Sequence, residues 1–154
     1  MVIPEDVARF FRDQNFVIVS SLEPEGGIRT ACKGIARIEP AHGRVYLLDL
    51  YLERTFRNLR RNPAISLTAV DEPSFSGYCI EGEARIIGKD EADPVIAREW
   101  EEKITARISQ RLVRNLRGEK GHASYPEALL PAPKYIIAVD VKRIVDLTPP
   151  QLKA

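Results

Sequence analysis

The most regular pattern in the chain runs from Ile28 to Ile38. Its even positions (Ile28, Thr30, Cys32, Gly34, Ala36, Ile38) are small or apolar, and its odd positions include Arg29, Lys33 and Arg37. Successive side chains of a strand point to opposite sides of a sheet, so this period of two predicts a half-buried strand with the even set inside and three cations outside. The apolar run Phe16 to Ser21 precedes it as a first strand and ends in the hairpin-type turn Glu23-Pro-Glu-Gly-Gly27. A second turn, Ala41-His-Gly-Arg44, leads into Val45 to Leu50, a third strand returning antiparallel to the second. Ala64 to Val70 reads as a fourth strand. Tyr78 to Ile87 reads as a fifth with Tyr78, Ile80, Gly82, Ala84 and Ile86 inside, and Lys134 to Leu147 as a sixth with Tyr135, Ile137, Val139 and Val141 on one face.

The period changes in three places. Pro4-Glu5-Asp6 opens a short helix carrying Val7, Phe10 and Phe11 on one side, with Asn15 at its close. Leu52, Phe56 and Leu59 fall at helical spacing in a short, Arg-rich segment from Glu53 to Arg61, which Asn62-Pro63 terminates. Asp93-Pro94 has the form of an N-cap followed by proline in the first turn, and Ile96, Trp100, Ile104, Ile108 and Leu112 mark one face of a helix reaching Leu116. Six strands and three helices follow. Many short antiparallel strands with small residues inside predict a mainly β fold, a closed or partly closed barrel with peripheral helices, because closure removes exposed edges and small residues fit a narrow interior.

Composition bounds this picture without altering it. A length of 154 residues with 44% hydrophobic and 29% charged residues suits one domain, residues 1–154, that folds around its own core. Lys and Arg number 23 against 22 Asp and Glu, so no overall basic field draws in nucleic acid. Cys32 and Cys79 form no CxxC and have no clustered His, so they read as buried free thiols and no metal site is indicated. The start of the chain has no signal-peptide pattern and no run reaches the length of a membrane span, so a cytoplasmic protein is expected.

Candidate chemistry centres on Asp49 to Pro63, where a strand end, a loop and a cationic helix start meet. Unpaired N–H groups at a helix start favour an anion; Arg54 and Thr55 add a guanidinium and a hydroxyl there, and Asn58 lies one turn on, on the same face as Arg54. Together they form a phosphate cradle. The competing reading is a solvated Arg-rich helix. Arg29 and Lys33, about 13 Å apart at strand rise, cannot grip one phosphate together, but suit different parts of an elongated ligand. His42 and His122 stand in separate turns, Glu81 and Glu83 read as solvated, and Trp100 reads as core or subunit contact. GxGxxG and GxxxxGK[ST] are both absent, which excludes a Rossmann nucleotide crevice and a P-loop.

The runs Val17 to Gly27, Lys33-Gly34, Arg54-Thr-Phe-Arg-Asn-Leu-Arg-Arg-Asn-Pro63 and Tyr78 to Arg85 resemble the pyridoxamine 5′-phosphate oxidase-like, FMN-binding split-barrel superfamily. The third of these is the most specific. The resemblance implies a six-stranded antiparallel split β-barrel that forms a homodimer, with FMN sites at the subunit interface and a small-molecule substrate. Carried over by residue, it implies that Arg54, Thr55 and Asn58 hold the phosphate with help from Arg29. Thr30, Ala31, Cys32, Lys33 and Gly34 then line the flavin from the second strand, and Asp49 and Leu50 from the third. Lys33 would polarise the ring. Pyridoxamine phosphate oxidases use an extended C-terminal segment with Arg and His; this sequence reads Leu147-Thr-Pro-Pro-Gln-Leu-Lys-Ala154 there, so that particular activity is not expected. The expectation is an FMN-dependent oxidoreductase; the alternatives are a deazaflavin-dependent reductase or a non-catalytic carrier of flavin or haem. Gly118 to Pro133 is expected as a loop that covers the partner's site or spans a gap.

Overall fold

The computed structural model describes residues 1–49, 53–88, 90–119 and 134–153. In chain order the described elements are α1 (Glu5–Arg12), β1 (Val17–Leu22), β2 (Ile28–Glu39), β3 (Arg44–Asp49), α2 (Arg54–Arg61), β4 (Ala64–Asp71), β5 (Ser76–Gly88), α3 (Pro94–Leu116) and β6 (Tyr135–Asp146), with single 3₁₀ turns at Pro40–His42 and Pro150–Leu152. All pairings are antiparallel, and the order β1-β2-β3-β6-β5-β4 closes on itself because β4 also pairs with β1. The expected six-stranded barrel is therefore present and closed. Its first hairpin turns at Glu23–Gly27, where Gly26 takes φ +89°, a conformation that side chains with a Cβ rarely adopt, and its N–H reaches the Glu23 carbonyl at 3.0 Å.

The interior is filled from every strand. Val19, Ile35, Leu47, Leu67, Ile80 and Val139 are each at most 4% exposed and belong to one contiguous cluster. A fully buried Leu or Ile of this kind contributes about 1.5–3 kcal/mol relative to exposure. One mouth is closed by Ile3 and by Val7 and Phe11 of α1, with Phe10 edge-on to Tyr78 at 5.1 Å between ring centroids. At the other mouth sits α2, whose Leu59 joins the core.

The outside of β3, β6 and the end of β2 is covered by α3. Ile96 and Trp100 pack there on Tyr46, Leu48, Ile136 and Ala138. Asp93 caps α3 as the sequence predicts, its Oδ1 accepting from Val95 N–H at 3.0 Å. Arg37 forms a two-pronged contact with Glu99 (2.7 and 3.1 Å), and Lys103 Nζ donates to the Ile35 carbonyl at 3.1 Å. Burial, and secondarily Arg107, push the Lys103 ammonium below the usual lysine range. The apolar stripe expected to reach Leu112 stops contributing buried residues at Trp100; Leu112 is 45% exposed. Trp100 is core, as one of its two expected roles had it.

Three expectations are corrected. In β2 the faces are exchanged: Lys33 lies opposite Val17 and Ile35 opposite Leu47, so the odd positions look inward, while Ile28, Thr30 and Cys32 are exposed. A bulge between Ile35 and Arg37 then reverses the parity, which sends Arg37 outward and Ile38 toward the core. Second, Cys32 is exposed and Cys79 half-buried; both are free, but neither is a buried thiol. Third, α1 ends at Arg12 with Asp13 as its C-cap, before Asn15. The inner set expected for β5 holds: Ile80 and Ala84 are core, with Tyr78 and Ile86 packed against it.

Candidate functional site

At the mouth occupied by α2, three elements converge. Asp49 ends β3, Glu53 stands at the N-cap of α2, and Asn62 leaves the helix with an extended backbone, its Oδ1 accepting from Ala64 N–H at 3.0 Å ahead of β4. The helix is held by its apolar side. Leu59 is buried, and the Phe56 ring lies 4.6 Å from that of Tyr135. Its polar side carries exposed Arg54, Arg57, Arg60 and Arg61. The Arg60 guanidinium sits 5.6 Å over the Phe56 ring, and Arg61 donates to the Leu22 carbonyl.

Glu53 makes no side-chain cap bond, so the first-turn N–H groups of α2 have no side-chain acceptor from the N-cap residue. Beside them Arg54 is exposed, whereas Thr55 and Asn58 are 5% and 3% exposed. The Asn58 amide donates to the Ser21 hydroxyl at 3.1 Å, a buried contact that ties α2 to β1. Ser21 in turn lies opposite Arg29 in the β1–β2 ladder, which places Arg29 at the same mouth as α2. Ser21 is the link that sequence reading missed, since one serine in an apolar strand carries no distinguishing signal.

Inside this mouth Lys33 Nζ meets Asp49 Oδ1 at 2.8 Å, with Asp49 fully buried and the lysine side chain 10% exposed. The two had been expected on separate strands lining one ligand; the barrel brings them into direct contact. Ala31, opposite Val19, shares their inward face. Thr30 and Cys32 point the other way, onto the outer surface. Gly34 also faces out, under α3, so close to Trp100 that a Cβ there would stand 2.6 Å from Cζ3. Leu50 lies outside the described residues, as does most of the Gly118–Pro133 loop.

A second concavity lies on the outer surface. It is an open groove of about 440 Å³ bordered by Ser20, Leu22, Ile28, Ala64, Ser66 and Glu81. Glu81 is held by Arg143 at 3.5 Å and Glu83 by Lys142 at 3.7 Å, both on the exposed side of the β5–β6 ladder. Among the described residues no group of His, Cys, Asp and Glu is placed to hold a metal ion, and no helix is long and apolar enough to cross a membrane. His42 is a surface residue of the Pro40–His42 turn; His122 is outside the described residues.

The model of the family described as pyridoxamine 5′-phosphate oxidase matches residues 3–144 of this chain. No curated protein matches it. Among solved structures, HupZ of Group A Streptococcus superposes with a TM-score of 0.64 at 17% identity, over 96% of this chain and 95% of that one. A Clostridium acetobutylicum protein related to general stress protein 26, of the pyridoxinephosphate oxidase family, gives 0.61 at 11% identity, covering 97% and 96%. A structure described as F420 reductase gives 0.57 at 14% identity, covering 93% and 98%. At these identities the structural likeness establishes a shared fold, and function has to be argued from the site.

Proposed function

The chain belongs to the pyridoxamine 5′-phosphate oxidase family, and from that premise we propose that it binds FMN at the α2 mouth of its barrel and works as a flavin-dependent oxidoreductase in a homodimer. The observation that carries this reading is the start of α2. Its first-turn amides lack a side-chain cap, Arg54 is free to reach a ligand, and Arg29 stands at the same mouth. That donor set fits a phosphate: N–H dipoles, a hydroxyl at Thr55 and a guanidinium able to make paired hydrogen bonds. Asn58, bonded to Ser21, holds this turn in place.

A bound flavin supplies hydride acceptance and donation, so the chain need not provide a nucleophile. The residues' part is to bind and orient. Arg54 and Thr55 fix the phosphate end, Arg29 assists, and Lys33, held on Asp49, keeps a positive charge at the mouth where an electron-rich ring would lie. Thr30 and Cys32 face outward, so they border a cofactor only where β2 meets the partner subunit, whereas the outward side of Gly34 is taken by Trp100 of α3. Both thiols are free and at least partly accessible, which suits a reducing cytoplasm.

A carrier that binds flavin without turnover is the second reading. It is favoured because Lys33 and Asp49, both ionisable and both inside the mouth, are engaged with each other. The decisive experiment is titration of FMN, F420 and haem against wild type and the Arg54→Ala/Thr55→Ala double variant. Each charged hydrogen bond is worth about 1.5–3 kcal/mol, so flavin affinity should fall on the order of a hundredfold or more. Unchanged affinity sinks the assignment. Tighter binding of F420 or haem replaces the cofactor, and single-turnover reduction by NADH or NADPH without steady-state turnover selects the carrier.

A further inference from the structure

Strands β5 and β6 are neighbours in the barrel, and their ends meet, since Gly88 pairs with Tyr135. A tight turn is enough to join two such antiparallel strands. The chain instead leaves the sheet after Gly88, builds α3, and comes back at Tyr135 to the place it left. An excursion that starts and returns at one point of a sheet is tethered as a flap is on its hinge. The surface under α3 is also separate from the barrel interior. Ile96 and Trp100 pack with Tyr46, Leu48, Ile136 and Ala138, and among the described residues this cluster shares no member with the inner one. Lifting α3 therefore leaves the barrel core closed.

The seat of α3 is small and specific. Within the helix only Ile96 and Trp100 are buried, and it runs on past them to Leu116, which is 80% exposed. Two polar ties fasten the seated part. Arg37 of β2 holds Glu99 at 2.7 Å with Asp93 at 3.8 Å, and Lys103 Nζ donates to the Ile35 carbonyl at 3.1 Å. Between them the Trp100 indole lies over Gly34, with Cζ3 and Cη2 2.6 and 2.9 Å from the point where a Cβ would stand. The absent side chain makes a slot, floored by Gly34 and lined by Tyr46, Leu48, Ile136 and Ala138, that the edge of a flat aromatic ring now fills.

A slot that takes an indole takes another flat ring of the same thickness. It opens beside the candidate phosphate site: Leu48, the partner of Gly34, is followed by Asp49 at the end of β3, and α2 starts at Arg54. We propose that α3 is a hinged lid whose Trp100 plugs this slot in the closed state, and that the lid lifts to let the ring of a flavin lie on the outward side of Gly34 and Leu48. The proposal rests on the flavin reading above and adds the step that admits the ring. Lys33 and Asp49, the sequence neighbours of Gly34 and Leu48, face the other side of the same two strands, so their contact does not depend on the lid. With the lid closed, the chain's own aromatic group competes with the ligand's, and the observed affinity is the intrinsic one reduced by the fraction of molecules that are open.

Competition of this kind reverses the usual effect of a truncation. Trp100→Ala should lower the FMN dissociation constant about tenfold or more, whereas loss of a residue that merely supported the site would raise it. Holding the lid shut should do the opposite. In a Cys32→Ser/Cys79→Ser background, Arg37→Cys/Glu99→Cys joined by a short bis-maleimide should bind FMN at least about tenfold more weakly than the same protein left unjoined. Hydrogen exchange followed by mass spectrometry reads the motion itself: added FMN should speed exchange in α3 around Trp100 and leave β3 and β6 protected. Circular dichroism checks that each variant is folded, and should Trp100→Ala not fold, the cross-link and the exchange decide alone. Equal FMN affinity in joined and unjoined protein, with α3 exchange unchanged on binding, overturns the lid and leaves the flavin reading standing. Weaker binding by folded Trp100→Ala does the same. FMN binding by neither wild type nor Trp100→Ala overturns the flavin reading and the lid together.

Discussion

Removing one member of the Lys33–Asp49 pair should be far more damaging than removing both. The carboxylate is fully buried, the ammonium side chain is 10% exposed, and they stand 2.8 Å apart. At an effective dielectric near 20, two unit charges at that distance attract by about 6 kcal/mol, set against a desolvation cost of several kcal/mol for each ion. The pair adds little net stability, yet each charge depends on the other. Lys33→Met leaves a buried carboxylate without its ammonium and should cost about 3–5 kcal/mol, as should Asp49→Leu. The Lys33→Met/Asp49→Leu double variant should be nearer wild type than either single variant. Urea denaturation at one fixed protein concentration measures this, so that mass action is the same for every variant. With a slope of about 2 kcal/mol per molar, each single variant should move the midpoint down by about 1.5–2.5 M. Single variants within about 0.3 M of wild type, or a double variant whose loss equals the sum of the singles, would refute the reasoning.

Two other outcomes test the packing and the electrostatics. Gly82 lies at the β5 bulge, where an added Cβ would stand 2.3 Å from the Asp140 carbonyl oxygen and 3.1 Å from Val139 Cγ1; backbone in the β5–β6 ladder cannot move aside as a side chain can. Gly82→Ala should lower Tm by about 5 °C or more by calorimetry, and an unchanged Tm would show that the ladder yields there. The Asp146 carboxylate is held down at about 2, first by its hydrogen bond from Lys153 and then by the Thr148 N–H. Because the folded value lies below the ordinary 3.8, its stabilising contribution is complete above that pH and lost as the pH falls toward 2. Lys153→Ala should raise the Asp146 midpoint toward 3.8 in an NMR titration, and a midpoint that stays near 2 would discredit the Lys153 contact.

Much of the architecture is written locally. The alternation in β5, the turn residues Gly26 and Gly43, the Asp93-Pro94 start of α3 and the Asn62-Pro63 stop of α2 each act through neighbouring backbone, so each is legible without knowing the fold. The candidate phosphate site is legible for the same reason: Arg54, Thr55 and Asn58 lie within about one turn of each other on one short helix. What the chain alone leaves open is which side of a strand is inside. Period two fixes that Arg29 and Lys33 share a face and that Thr30 and Cys32 share the other, but barrel closure chooses between them. Here it chose against the apolar set, because Asp49 from β3 offers Lys33 a buried counter-charge while the face bearing Ile28 and Cys32 stays outside. Likewise the bulge that sends Arg37 to Glu99 and the Asn58–Ser21 tie join residues from separate strands and helices. Such contacts depend on register and closure, which are properties of the assembled sheet; local sequence encodes the strands but not the partner each side chain meets.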